Sequence, residues 1–222
     1  MDTVHLPPVS QWQNADEDRV PIRIPRKRYR QIEQAVLDLY EETDVHTIPF
    51  DVLRMVSAVG IQLIPYVSLS REAQQWARKV SKDAFMPWGM DGRPTAIFYN
   101  SKMPASRLKF TLMHELAHAR LLHIQHSELA EKEANTFTAA ALCPLPLIGH
   151  YGIEDVSTLA RVFEISEEFA EHRLEQYEKW KRLPIQSRNV KFGMSVCSRF
   201  HLNVPYQPDL PVAHELPKRI CG

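Results

Sequence analysis

The sequence predicts an α+β fold, mostly helical, around a small, mainly antiparallel three-stranded sheet. Two observations carry this expectation. Most of the chain from residue 26 to 182 repeats apolar side chains at the 3.6-residue spacing of a helix, or opens a segment with a helix-capping residue. Only three short stretches read as strands: IQLIPY at 61–66 and the two halves of DAFMPWGMDGRPTAIFYN at 83–100.

Taken in order, residues 1–25 hold prolines and acids without apolar periodicity, and they are expected to form an N-terminal arm. The basic run RIPRKRYR at 23–30 leads into a helix with Ile32, Val36 and Leu39 on one face. That continuity favours a solvated helix start over a nucleic-acid patch. Pro49 is placed to open a second helix, TIPFDVLRMVSAVG, since its missing N–H costs nothing in a first turn, and Gly60 can take the left-handed cap. The strand at 61–66 and a helix over SREAQQWARKV follow, and Asp91-Gly92 supplies a hairpin turn between the next two strands. A helix from Pro104 to about Leu122 carries Leu108, Leu112, Leu116 and Ala119 at helical spacing. Ser127 caps another, which Pro144 and Pro146 stop, and two more helices cover DVSTLARVFE and SEEFAEHRLEQYEKWKR. Residues 183–222 are rich in proline and are expected to form a C-terminal tail, wrapped over the core or partly disordered, which leaves 26–182 as the folded domain.

Composition narrows the classes of function. A chain of 222 residues, 44% hydrophobic, can bury one sizeable core. Lys+Arg and Asp+Glu balance at 27 each, so net charge supplies no drive toward nucleic acid or an acidic membrane. Cys143, Cys197 and Cys221 stand at no disulfide-framework or C-x-x-C spacing, and no apolar run approaches membrane-spanning length. These features fit a cytoplasmic protein without membrane partners.

The chemistry concentrates in HELAH, residues 114–118. Residues four apart on a helix differ by about 40° in azimuth, so His114 and His118 project from one side and can share an ion. Glu115 is rotated about 100° from His114, too far to ligate easily but close enough to act on a water beside the metal as general base. Two unpaired imidazoles among apolar residues would be costly to bury, which weighs against two histidines merely sharing a face. Catalytic zinc sites use three protein ligands, and the third is expected from the next helix. Glu131 is favoured because it places Asn135 one turn on, within reach of a ligand histidine as a hydrogen-bonding partner. Glu128 and Glu133 compete: Glu128 sits in the first turn, where its ordinary role is to complement the helix dipole, and Glu133 points about 160° from Asn135, toward solvent. His123 and His126 are expected on the surface, since helices of this motif that use a third histidine need a glycine turn, which is absent here. A His2Glu set suits zinc, manganese or iron.

With HELAH, the upstream YNSKMPASRLKFTLM and the downstream EKEANTFTAAALCP, the chain resembles the ImmA/IrrE family of zinc-dependent metallopeptidase-like proteins. The resemblance runs from about Thr47 to Trp180 and rests on Tyr99-Asn100, Arg107 before Phe110-Thr111, then Glu131-x-x-Ala134-Asn135-x-Phe137 and Leu142-x-Pro144. It implies a zincin-like core, with His114, His118 and Glu131 holding Zn2+ and Glu115 as catalytic base. It further implies a protein substrate, such as a helix-turn-helix repressor of a phage or mobile element. Two other readings compete: a non-catalytic, metal-binding interaction module of antirepressor or antitoxin type, and DNA binding through LARVFEISEEFAEHRLE. Against the last, Glu167, Glu168, Glu171 and Glu175 make the supposed recognition helix acidic.

Overall fold

The computed structural model describes residues 22–90, 92–184 and 188–200, as nine helices and three strands. The arm at 1–21 and the end of the tail at 201–222, on which the first and last of the domain expectations fall, lie outside the described residues. Helix α1 spans Arg26–Glu42 and buries Ile32, Val36 and Leu39, the apolar stripe legible in the sequence, together with Tyr40. Helix α2, Val52–Ala58, starts later than expected. Pro49 follows a cis peptide and lies before the helix, and the Asp51 carboxylate caps it by accepting from the Arg54 N–H at 3.0 Å. Gly60 closes the helix at φ 81°, as its lack of a Cβ allows.

Strand β1 is Gln62–Pro65 and is followed by a 3-10 turn over Tyr66–Ser68. Helix α3, Arg71–Val80, is capped by Ser70 and leads to β2, Ala84–Phe85, and β3, Ala96–Tyr99. The sheet order is β1-β3-β2. The α+β class stands, but the sheet is mixed rather than mainly antiparallel. β2 and β3 form the expected antiparallel hairpin, pairing Ala84 with Tyr99 and Phe85 with Phe98, whereas β1 and β3 pair in parallel over four residues. The reason is the α3 crossover, which carries the chain to the far edge before the hairpin returns β3 between its neighbours.

The remaining helices build the core beside this sheet. Helix α4, Ala105–Arg120, packs along α5, Glu128–Leu142, while α1 lies on α5 and α2 on α4. Leu112, Met113, Leu116 and Ala117 of α4 share one buried cluster with Ala134, Phe137, Ala140 and Ala141 of α5. The alanines let the two backbones approach, and each buried Leu or Phe contributes roughly 1.5–3 kcal/mol. Tyr40 ties α1 to α5 by donating its buried hydroxyl to the Ala141 carbonyl at 2.6 Å. Helix α6, Leu145–His150, begins where prolines were expected only to end a helix, since Pro146 is tolerated in a first turn. Helices α7, Val156–Phe163, and α8, Glu167–Lys181, follow the expected pattern. Helix α9, Val190–Arg199, packs on α6 and α1 through Phe192 and Val196, inside the stretch expected to be an irregular tail. Among the described residues, no helix is long and apolar enough to cross a membrane.

Candidate metal centre

The site is built on α4 and the first turns of α5. The HELAH stretch falls in the C-terminal half of α4, where Glu115, Leu116, Ala117, His118 and Ala119 are all buried because α2 and α5 both pack on this helix. One helical turn places His114 and His118 side by side, their Nε2 atoms 3.1 Å apart. Glu131, in the first turn of α5 after the Ser127 cap, brings Oε2 to 3.3 Å from His114 Nε2 and Oε1 to 3.5 Å from His118 Nε2. Among the described residues, His114, His118 and Glu131 are the group whose ligand atoms converge in this way.

This cluster fits a cation. A tetrahedral ion with ligand bonds of about 2.0–2.1 Å separates neighbouring donor atoms by roughly 3.3–3.4 Å, and the three contacts here, one between the histidines and one from each histidine to a different oxygen of Glu131, lie close to that value. The chemistry of the donors agrees: two imidazole nitrogens and one carboxylate group, Oε2 toward His114 and Oε1 toward His118, face each other, an arrangement that a single shared proton satisfies only in part. Burial first, and then the charge of His114, push the His118 imidazole down to about 3, so it is neutral, the form that ligates. Burial would raise the Glu131 carboxyl, but the hydrogen bond from His114 and the charges of His114, His118 and His126 outweigh it and hold the group at about 2. Glu131 is 32% exposed, so the centre opens to solvent on its side.

Glu115 sits beside the cluster, buried, at the azimuth expected of it. Burial pushes its carboxyl up to about 7; His114 opposes the shift, Glu131 adds to it, and His126 opposes it. Asn135 is half-buried on α5 and makes no hydrogen bond to either histidine: His114 Nδ1 is buried without a partner, and His118 Nδ1 meets another residue.

That residue is His123, and it reverses two expectations. The side chains of His123 and Glu133 are only 8% and 6% exposed, so neither faces solvent. The chain leaves α4 without a glycine by placing Leu122 at φ 58°, which turns the His123 N–H back onto the His118 carbonyl at 3.0 Å. His123 Nδ1 then lies 3.1 Å from His118 Nδ1, and its Nε2 lies 3.0 Å from Glu133 Oε2. The same Glu133 oxygen accepts from Arg28 Nε at 2.9 Å and Nη2 at 2.6 Å. The hydrogen bond from Arg28 holds the Glu133 carboxyl below its ordinary value against the effect of burial. The available signal was His123 itself, five residues after His118 at a helix end. His126 is exposed, as expected, but its Nδ1 stands 3.2 Å from Glu131 Oε1. Glu128 does not join the cluster.

Residues 77–175 match the family model of the peptidase M78 group, described as the IrrE N-terminal-like domain. The match is narrower than the resemblance traced in the sequence and covers α4 and α5 whole. No curated protein matches the chain. The matched segment, with the His-His-Glu group within it, is a domain of metallopeptidase type similar to the IrrE N-terminal-like domain, which supports the ImmA/IrrE resemblance.

Proposed function

We propose that this protein is a zinc-dependent endopeptidase in which His114, His118 and Glu131 hold the metal and Glu115 is the general base. The observation that carries the reading is the convergence of His114 Nε2, His118 Nε2 and the Glu131 carboxylate, with contacts of 3.1, 3.3 and 3.5 Å, directly beside a buried carboxyl. When bound, zinc supplies Lewis acidity toward a peptide carbonyl and acidifies water. Glu115 takes the proton of the attacking water and later delivers it to the leaving amine nitrogen, a role for which its buried position keeps competing solvent away. Glu131 and the two histidines stay in place throughout, held by α4 and α5.

A protein substrate, such as a helix-turn-helix repressor, fits the family and the local surface. The loop after α4 exposes Leu122 and Ile124, apolar area next to the centre that suits a polypeptide. A substrate chain that adds to the sheet does not do so along residues 96–100, since β3 is the central strand and the open edges belong to β1 and β2. The DNA-binding reading is weakened further, because Glu167, Glu168, Glu171 and Glu175 of α8 all face solvent.

The test is a search for new protein N-termini in cells expressing the wild-type chain or Glu115→Gln. Cleavage products in the wild type that fall by about 100-fold or more with the variant are expected. The same products at the same level with both would overturn the role of Glu115 and favour a module acting by contact alone.

A further inference from the structure

We propose that His123, Glu133 and Arg28 form a positioning chain that fixes the tautomer and ring orientation of His118, so that its Nε2 presents a bare lone pair to the metal. The inference rests on the metal-centre reading above and assigns work to three residues that this reading leaves without any.

The protons along the chain can be placed one at a time. Arg28 donates two hydrogen bonds to Glu133 Oε2, and a guanidinium has no acceptor, so Glu133 meets it as a carboxylate. The same oxygen lies 3.0 Å from His123 Nε2, so that nitrogen carries a hydrogen and donates. Taken in its neutral form, His123 has one N–H, so its Nδ1 is left as an acceptor. Facing it at 3.1 Å is His118 Nδ1, which therefore carries the hydrogen of its own ring. His118 Nε2 is left bare, and it is the atom aimed at His114 and Glu131. With His123 neutral, each assignment follows from the one before, starting from a guanidinium that stays protonated.

Burial makes the arrangement selective. His118, His123 and Glu133 side chains are 11%, 8% and 6% exposed, so water competes weakly for these bonds. The other ligand histidine has no such support: His114 Nδ1 is buried with no partner, and its ring instead lies against Phe110 at 6.2 Å. The two ligands are thus held differently, one by packing and one by a hydrogen-bonded chain. Arg28 comes from α1, outside the segment matched by the family model, so the chain links the centre to a helix that the matched domain does not include.

The experiment is a Zn2+ titration of the full metal-free chain against a chromophoric chelator, with the thermal midpoint of each metal-free protein measured in parallel. His123→Ala is expected to weaken Zn2+ binding by about 10–100-fold, and His123→Asn, whose amide oxygen can accept from His118 Nδ1–H, to recover part of the loss. Glu133→Gln, in which the charge is gone but the shape is kept, is expected to fall between wild type and His123→Ala, and it serves where the alanine variant does not fold. A merely structural role for His123 would lower the thermal midpoint without changing Zn2+ affinity, and that result would overturn the proposal. Wild-type affinity in both His123→Ala and Glu133→Gln would do the same. Failure of the wild type itself to bind Zn2+ would instead overturn the metal-centre reading, which separates the two outcomes.

Discussion

At the scale of single residues, the sequence disclosed what helix geometry alone determines. His114 and His118 had to share a face, and Glu115 had to stand beside them, because a residue's azimuth on a helix follows from its number. Glu131 could be favoured over Glu133 by the same reasoning, and the two carboxylates end on opposite duties, one in the cluster and one behind it. His123 and Glu133 were illegible because their meeting depends on a left-handed Leu122, a conformation that costs a non-glycine residue roughly 1–2 kcal/mol and leaves no mark in composition. Away from the centre, Glu33 gives a pH-dependent outcome. Burial pushes its carboxyl from 4.5 up to about 7, against a hydrogen bond from Asn189 at 2.6 Å and the charge of Arg30. The folded state therefore holds this proton more tightly than the unfolded chain does. Its contribution to stability is complete below pH 4.5 and is lost as pH rises through 7. Glu33→Gln, which keeps an acceptor for Asn189, is expected to raise stability at pH 8 by roughly 1–3 kcal/mol and to leave it unchanged at pH 4. Denaturant melts at the two pH values check this, and equal effects at both would contradict it.

At the scale of elements, caps and apolar stripes located the ordinary helices, and prolines misled. Ser70, Ser127, Asp155 and Ser166 each cap the helix that follows, and Asp51 takes the place first given to Pro49. Helix α6 was hidden because Pro146 reads equally as a stop or as a first-turn residue. Helix α9 was hidden by the prolines around it, although Asn189 is a sound cap and Phe192 and Val196 stand one turn apart. The β1–β3 pairing was out of reach because parallel partners are set by the path of the crossover rather than by any local turn. The cap of α5 bears on the centre, since Ser127 Oγ accepts from the Ala130 N–H at 3.1 Å in the turn that carries Glu131. Ser127→Ala is expected to cost about 0.5–2 kcal/mol and, for a chain of this size, to lower the melting temperature by roughly 2–4 °C per kcal/mol. An unchanged melting temperature would show that the cap does not hold this turn.

At the scale of the whole molecule, α4 and α5 form the spine, with α1 and α2 packed against it and the mixed sheet alongside. The centre lies where these helices meet, so the metal and the fold should support each other. Zn2+ present at about 100 times its dissociation constant is expected to add roughly 2.7 kcal/mol to stability, and a chelator to remove it, as a melting curve would record. The most direct measurement is the metal content of the chain purified without added metal, by elemental analysis, beside His118→Ala. About one zinc per wild-type chain, lost in the variant, is the expected result. No metal in either protein, or equal metal in both, would contradict a centre built on His114, His118 and Glu131.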